Sequence, residues 1–178
     1  MTSPRLTYNR LIHQGNVVEF RQVGLRTPGG KVIPRDLVHY NGAVVILPIL
    51  DDGRVVMVRN YRYAIDCELL ELPAGMIESG EPPEQAAPRE LLEETGYTAE
   101  RFEPLGRFYP GPGTTDECLH AFLATGLAPG PQQLEEYEDI AVTVQSQEQL
   151  RRQIAAGQMR HGKTLAVMNL YWLKEQTS

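Results

Sequence analysis

Gly75-Met76-Ile77-Glu78-Ser79-Gly80-Glu81, then Pro82–Pro88, then Arg89-Glu90-Leu91-Leu92-Glu93-Glu94-Thr95-Gly96-Tyr97, is the stretch on which the rest of the chain turns. Glu84 to Thr95 is rich in Ala, Leu and Glu and is followed by Gly96, the composition of a helix with a glycine stop. At 100° per residue Glu90, Glu93 and Glu94 share about 100° of arc, so three carboxylates crowd one helical face. Like charges at these spacings each cost a helix ~0.2–0.5 kcal/mol. They also lie at the end where the macrodipole disfavours anions. A solvated acidic face is the commoner meaning of such a pattern. A hard divalent cation is the alternative, because it takes oxygen ligands and leaves positions for substrate phosphates. Pro88 falls inside the helical pattern and removes the backbone bond to Glu84, which predicts a kink or a later helix start.

Outward from this stretch the pattern is mostly of strand type. Leu6 to Tyr40 reads as a β hairpin turning at Pro28-Gly29-Gly30. Ala43–Leu50 and Val55–Val58 are continuous apolar runs joined by Asp51-Asp52-Gly53, which predicts a second hairpin of core strands. After a short apolar stretch at Leu69–Leu72, further strands fit Phe102–Tyr109, Glu117–Ala124 and Ile140–Val144. Two more helices fit Gln147–Ala156 and Leu165–Lys174. The expectation is a mixed α/β fold, with residues 1–40 an N-terminal β region of the same fold and 41–178 the main domain.

The 178 residues carry 17 Lys+Arg against 23 Asp+Glu, a formal charge of −6, with 42% hydrophobic residues. That supports one core and excludes broad nucleic-acid binding, which needs a basic surplus. Neither a basic start with an apolar run nor ~18 consecutive apolar residues occurs, so no membrane partner is expected. Cys67 and Cys118 have no CxxC or histidine spacing, which argues against a disulfide framework or zinc and for a reducing cytoplasmic location.

The spacing of Gly75, Glu81, Arg89-Glu90, Glu93-Glu94 and Gly96 resembles the Nudix box. Tyr97 departs from it, standing where that family usually has a bulky aliphatic. The resemblance implies an α/β/α sandwich with a mixed sheet and a hydrolase of nucleoside diphosphates linked to another moiety. By the same resemblance Glu90 and Glu94 are the principal Mg²⁺ ligands, with Mn²⁺ as an alternative. Glu93, Glu81 and the backbone carbonyl of Ala74 assist them, and Arg89 orients the carboxylates.

Outside the box the chain is similar to the ADP-ribose pyrophosphatase branch of that family. The matches are the arginines of Val58-Arg59-Asn60-Tyr61-Arg62, the marker position at Pro112 in Pro110-Gly111-Pro112-Gly113, and the acidic Glu135–Ile140. The resemblance implies that Arg59 and Arg62 grip the diphosphate and that Glu136 is the catalytic base, with Glu138 as substitute or helper. His120, in an apolar strand, reads as structural. The implied activity is Mg²⁺-dependent cleavage of ADP-ribose to AMP and ribose 5-phosphate. The rivals are another nucleoside diphosphate sugar, such as GDP-mannose or ADP-glucose, and a non-catalytic nucleotide sensor. A homodimer through the N-terminal sheet is also implied, since its edges would otherwise be exposed.

Overall fold

The computed structural model describes residues 5–136 and 138–177. The opening residues 1–4, and Tyr137 within the acidic stretch, lie outside the described residues. The chain divides into two compact units. One holds residues 1–42 with 109–118, and the other holds 43–108 with 119–178.

In the first unit, β1 (Arg5–Gln14), β2 (Glu19–Arg26) and β3 (Val32–His39) form an antiparallel sheet in that order. The expected hairpin is the β2–β3 pair, and β1 adds a strand. Its run Thr7-Tyr8-Asn9-Arg10 is too polar to announce a strand. Among the described residues of this unit Val23 is the one buried hydrophobic side chain, while Leu6, Leu11, Ile12, Val17, Phe20 and Val32 are exposed. The loop at 109–118 joins the unit through Asp116, whose carboxylate accepts from the Tyr40 N–H at 3.0 Å and lies 2.6 Å from His39 Nδ1.

The second unit has two sheets. β4 (Ala43–Pro48) lies between β7 (Ala74–Met76) and β9 (Leu119–Ala128), running parallel to β9, and β8 (Thr98–Phe108) closes the far edge. β5 (Val55–Arg62) lies between β6 (Cys67–Glu71) and β10 (Ile140–Gln145). The expected second hairpin is therefore corrected: β4 and β5 belong to different sheets, and the turn between them carries one isolated bridge, Ile49 to Val55. The reason is burial. Both runs are apolar on every residue, so each suits the middle of its own sheet, covered on both faces.

The alternation of β4 sorts the core. Val44 and Ile46 pack with Ala86, Ala87 and Leu91 of α1 (Pro83–Thr95). Ala43, Val45 and Leu47 face Val55 and Met57 of β5, Leu150 of α2 (Gln147–Ala155) and Val167 and Met168 of α3 (Gly162–Thr177). Helices thus cover both sides of the mixed sheet, which is the α/β/α sandwich expected. Burying each of the valine, leucine, isoleucine and methionine side chains among these contributes ~1.5–3 kcal/mol.

The helix α1 starts at Pro83 and runs through Pro88 without interruption, so it does not begin late as Pro88 suggested. Pro88 and Glu84 both lie on its exposed side, where the carbonyl left without a backbone donor meets water. Gly96 ends the helix with φ +74°, and a β-carbon there would stand 2.2 Å from the Gly130 carbonyl oxygen, so glycine is required.

Candidate active site

α1 presents two faces with different jobs. Leu91, Ala86 and Ala87 fasten it to the sheet, and Glu90 and Glu94, one turn apart, are carried into the protein beside them. Glu94 is 4% exposed and Glu90 8%, values that few unpaired carboxylates reach. β7 receives them. The Ala74 N–H donates to Glu94 Oε2 at 2.9 Å, and Glu90 fills the space beside Gly75, where a β-carbon would lie 1.9 Å from its carboxyl carbon. Ala74 thus reaches the site through its amide.

Arg89 binds this acidic group together. Nε and Nη2 hold both oxygens of Glu81 at 3.0 and 2.9 Å, Nη1 donates to Glu90 at 2.8 Å and Glu93 at 3.0 Å, and Nη2 also meets the Met76 carbonyl at 3.0 Å. Glu81 is held below the usual carboxylate range by those bonds to Arg89, against a smaller desolvation effect. Glu90 goes the other way: burial outweighs its bond to Arg89 and pushes it up to about 7. Burial likewise pushes Glu94 up to about 8, opposed by the Ala74 N–H.

The two candidates of the acidic loop differ in burial. Glu138 is half-buried, accepts the Glu135 N–H at 3.0 Å, and lies near enough for its charge to act on Glu90, Glu94 and Arg62. Glu136 is exposed in the turn before it. The loop is fastened to the helix end by Gln132, whose amide donates to the carbonyls of Glu94 at 2.6 Å and Ile140 at 3.2 Å.

The two arginines of β5 do not converge. Side chains three apart on a strand point to opposite faces. Arg59 pairs with exposed Glu68 at 3.0 Å and lines a groove of about 200 Å³ with Gln153, Gln158 and Arg160. Arg62 instead forks onto Glu71, at 2.9 and 2.5 Å. Pro112 is exposed and belongs to the first compact unit. Glu71, His161, Thr164 and Gln132 were not singled out by sequence reasoning. Only Glu71 carried a signal, as the one charge within Leu69-Leu70-Glu71-Leu72.

Two buried carboxylates whose charge burial disfavours, with Glu93 and Glu138 adding negative charge beside them, form an oxygen donor set that suits a hard divalent cation. Among the described residues no three acidic, histidine or cysteine side chains are already gathered as ligands. Arg89 accounts for part of this, since it holds one oxygen of Glu90. The residues fit the ion, which would draw Glu90 and Glu94 back to their ionised forms.

A NUDIX domain model matches residues 39–167, spanning this helix and both sheets of the second unit. The chain belongs to the NUDIX family. As a Nudix hydrolase it is 35% identical over 166 residues to an ADP-ribose pyrophosphatase of Bacillus subtilis, covering 92% of this chain and 90% of that one. It is 39% identical over 117 residues to a methanol dehydrogenase activator of Bacillus methanolicus, covering 66% of this chain and 63% of the relative. Among solved structures, one described as an ADP compounds hydrolase superposes with a TM-score of 0.85 at 22% identity, over 99% of this chain and 97% of the other, which establishes the fold.

Proposed function

We propose that this Nudix hydrolase cleaves the diphosphate of ADP-ribose with Mg²⁺, giving AMP and ribose 5-phosphate. The observation that carries the reading is the pair Glu90 and Glu94, buried side by side on a helix whose spacing matches the Nudix box. The choice of ADP-ribose is supported by the name of the Bacillus subtilis relative, whose match runs nearly end to end in both chains.

In this reading Glu90 and Glu94, with Glu93 and the Ala74 carbonyl, hold the cation, while the Ala74 N–H orients Glu94. When bound, it supplies the positive charge that offsets the diphosphate oxygens and makes water a better nucleophile. Arg89 keeps the carboxylates in register and Glu81 anchors Arg89. Arg62 meets the anionic diphosphate with the edge that Glu71 leaves open. Water adds to phosphorus, the bridging P–O bond breaks, and Glu138 takes the water's proton at its carboxylate. Glu138 is preferred to Glu136 as the base because it is the half-buried one of the two and its charge acts on Glu90 and Glu94.

The exposed apolar side chains of the first unit support a homodimer formed through that sheet. A sedimentation equilibrium run should return about twice the 20.0 kDa chain mass. The two free cysteines support a reducing cytoplasmic setting. Among the described residues no helix is long and apolar enough to cross a membrane.

The name of the Bacillus methanolicus relative favours a second reading, in which the chain acts on a partner enzyme. The complete set of carboxylates in the box favours catalysis. Product analysis on ADP-ribose, GDP-mannose and ADP-glucose separates the readings. Fast release of AMP and ribose 5-phosphate supports the first, faster turnover of another sugar moves the substrate, and no turnover of any leaves the partner role.

A further inference from the structure

β6 buries Glu71 to 1% exposure, as the one charge within Leu69-Leu70-Glu71-Leu72. A carboxylate so placed needs a complete set of partners, because one left unpaired in the interior is strongly disfavoured. Arg62 supplies the first, with Nε on Oε1 at 2.9 Å and Nη2 on Oε2 at 2.5 Å. This bidentate contact takes one edge of the guanidinium. The Arg62 side chain remains 41% exposed, and the charges of Glu94 and Glu138 act on it.

On the other side of Glu71 stands a second set of bonds. The Thr164 hydroxyl accepts the Leu72 N–H at 2.9 Å and so has its own proton to offer to His161 Nδ1, also at 2.9 Å. The neutral ring then carries its proton on Nε2, which lies 3.5 Å from Glu71 Oε2. Thr164 and Leu72 are fully buried, so water does not compete for the bond between them. These contacts link a half-exposed arginine at a strand end, through Glu71 and His161, to the first turn of α3.

We infer that Glu71 is a positioning residue for Arg62, and that His161 and Thr164 fix Glu71 in turn. The inference rests on the proposed role of Arg62 at the diphosphate and deepens it. An arginine at a strand end samples many rotamers. Held by a buried carboxylate it presents its remaining N–H groups in one orientation before substrate arrives, which favours binding by removing an ordering cost. A buried ion pair contributes little to stability in its own right, so its expected signature is in substrate affinity.

The test is a double-mutant cycle on kcat and KM with Arg62→Ala, Glu71→Gln and the pair, using whichever of ADP-ribose, GDP-mannose and ADP-glucose the wild type turns over fastest. A wrong substrate is then read from the wild type alone, and a wrong positioning role from the variants. Glu71→Gln should raise KM about tenfold and leave kcat within about threefold, with the pair no worse than Arg62→Ala. Glu71→Asp, which keeps the charge but draws it back, should fall between Glu71→Gln and wild type. An unchanged KM in Glu71→Gln, or penalties that multiply in the pair, would overturn the inference. If Glu71→Gln fails to fold, His161→Ala replaces it: a KM rise that vanishes in the Arg62→Ala background supports the role. No rise, or one that persists there, overturns it.

Discussion

The carboxyl group of Glu90 occupies the space that a β-carbon on Gly75 would need, 1.9 Å from its carboxyl carbon. Strand β7 and helix α1 approach this closely only because residue 75 has no side chain, and the gap left is filled by a group proposed to hold the cation.

Gly75→Ala should therefore separate folding from activity. The obstructed atoms are the far end of a flexible side chain, so Glu90 can swing away and the melting temperature should move by only a few degrees, equivalent to about 1 kcal/mol. Diphosphate hydrolysis should fall by about a hundredfold, since the carboxylate is then misplaced. A variant that keeps full activity would show that Glu90 does its work from elsewhere.

Arg89→Ala leaves Glu81, Glu90 and Glu93 facing one another without their shared cation. With Arg89 about a quarter exposed, the loss should be about 1–3 kcal/mol rather than the full value for a buried pair. Thermal melts with and without Mg²⁺ check this. The ion should restore a larger part of the stability in Arg89→Ala than it adds to the wild type, because it replaces missing positive charge. Equal shifts in the two proteins would argue against a shared site.

Stability should depend on pH in a divided way. Glu90 and Glu94, raised from 4.5 to about 7 and about 8, make the fold bind more protons than the unfolded chain across that interval, so stability falls as pH rises through it. His161, which burial lowers from 6.5 to about 4, acts with the opposite sign between those values. Above pH 6.5 the effect of His161 fades and the two glutamates outweigh it. Metal-free protein should lose on the order of 1–2 kcal/mol from about pH 6.5 to 8, and saturating Mg²⁺ should flatten the profile by keeping both groups ionised. Melting curves at fixed ionic strength decide it, and a flat metal-free profile would contradict the account.

How much of this was legible in the sequence depended on how local each feature is. The helix from Glu84 to Thr95 and its stop at Gly96 follow from propensity and one glycine. So does the crowding of Glu90, Glu93 and Glu94, which needs only the helical repeat. The separation of β4 and β5 into two sheets is not legible, because a two-strand turn and a crossing between sheets look alike when both runs are apolar throughout. The fork of Arg62 onto Glu71, and the separation of Arg62 from Arg59, depend on which strand lies beside which. Gln132 offered no signal, since an amide bridging two carbonyls far apart in the chain has no sequence pattern.

The choice between the two acidic-loop residues is open to a direct comparison. Glu138→Gln should lower kcat by at least a hundredfold and Glu136→Gln by less than tenfold, because Glu138 is the half-buried one whose charge acts on Glu90 and Glu94. Steady-state rates at saturating substrate measure the difference. The reverse order would move the base to Glu136.

The central claim is that Glu90 and Glu94 gather a divalent cation for cleavage of a nucleoside diphosphate sugar. The most direct test is AMP release from ADP-ribose by metal-stripped protein titrated with Mg²⁺, run beside Glu94→Gln. The expected result is saturable dependence on the ion in the wild type and a loss of several orders of magnitude in the variant, with its fold intact by circular dichroism. Turnover without the ion, or turnover unchanged in Glu94→Gln, would contradict it.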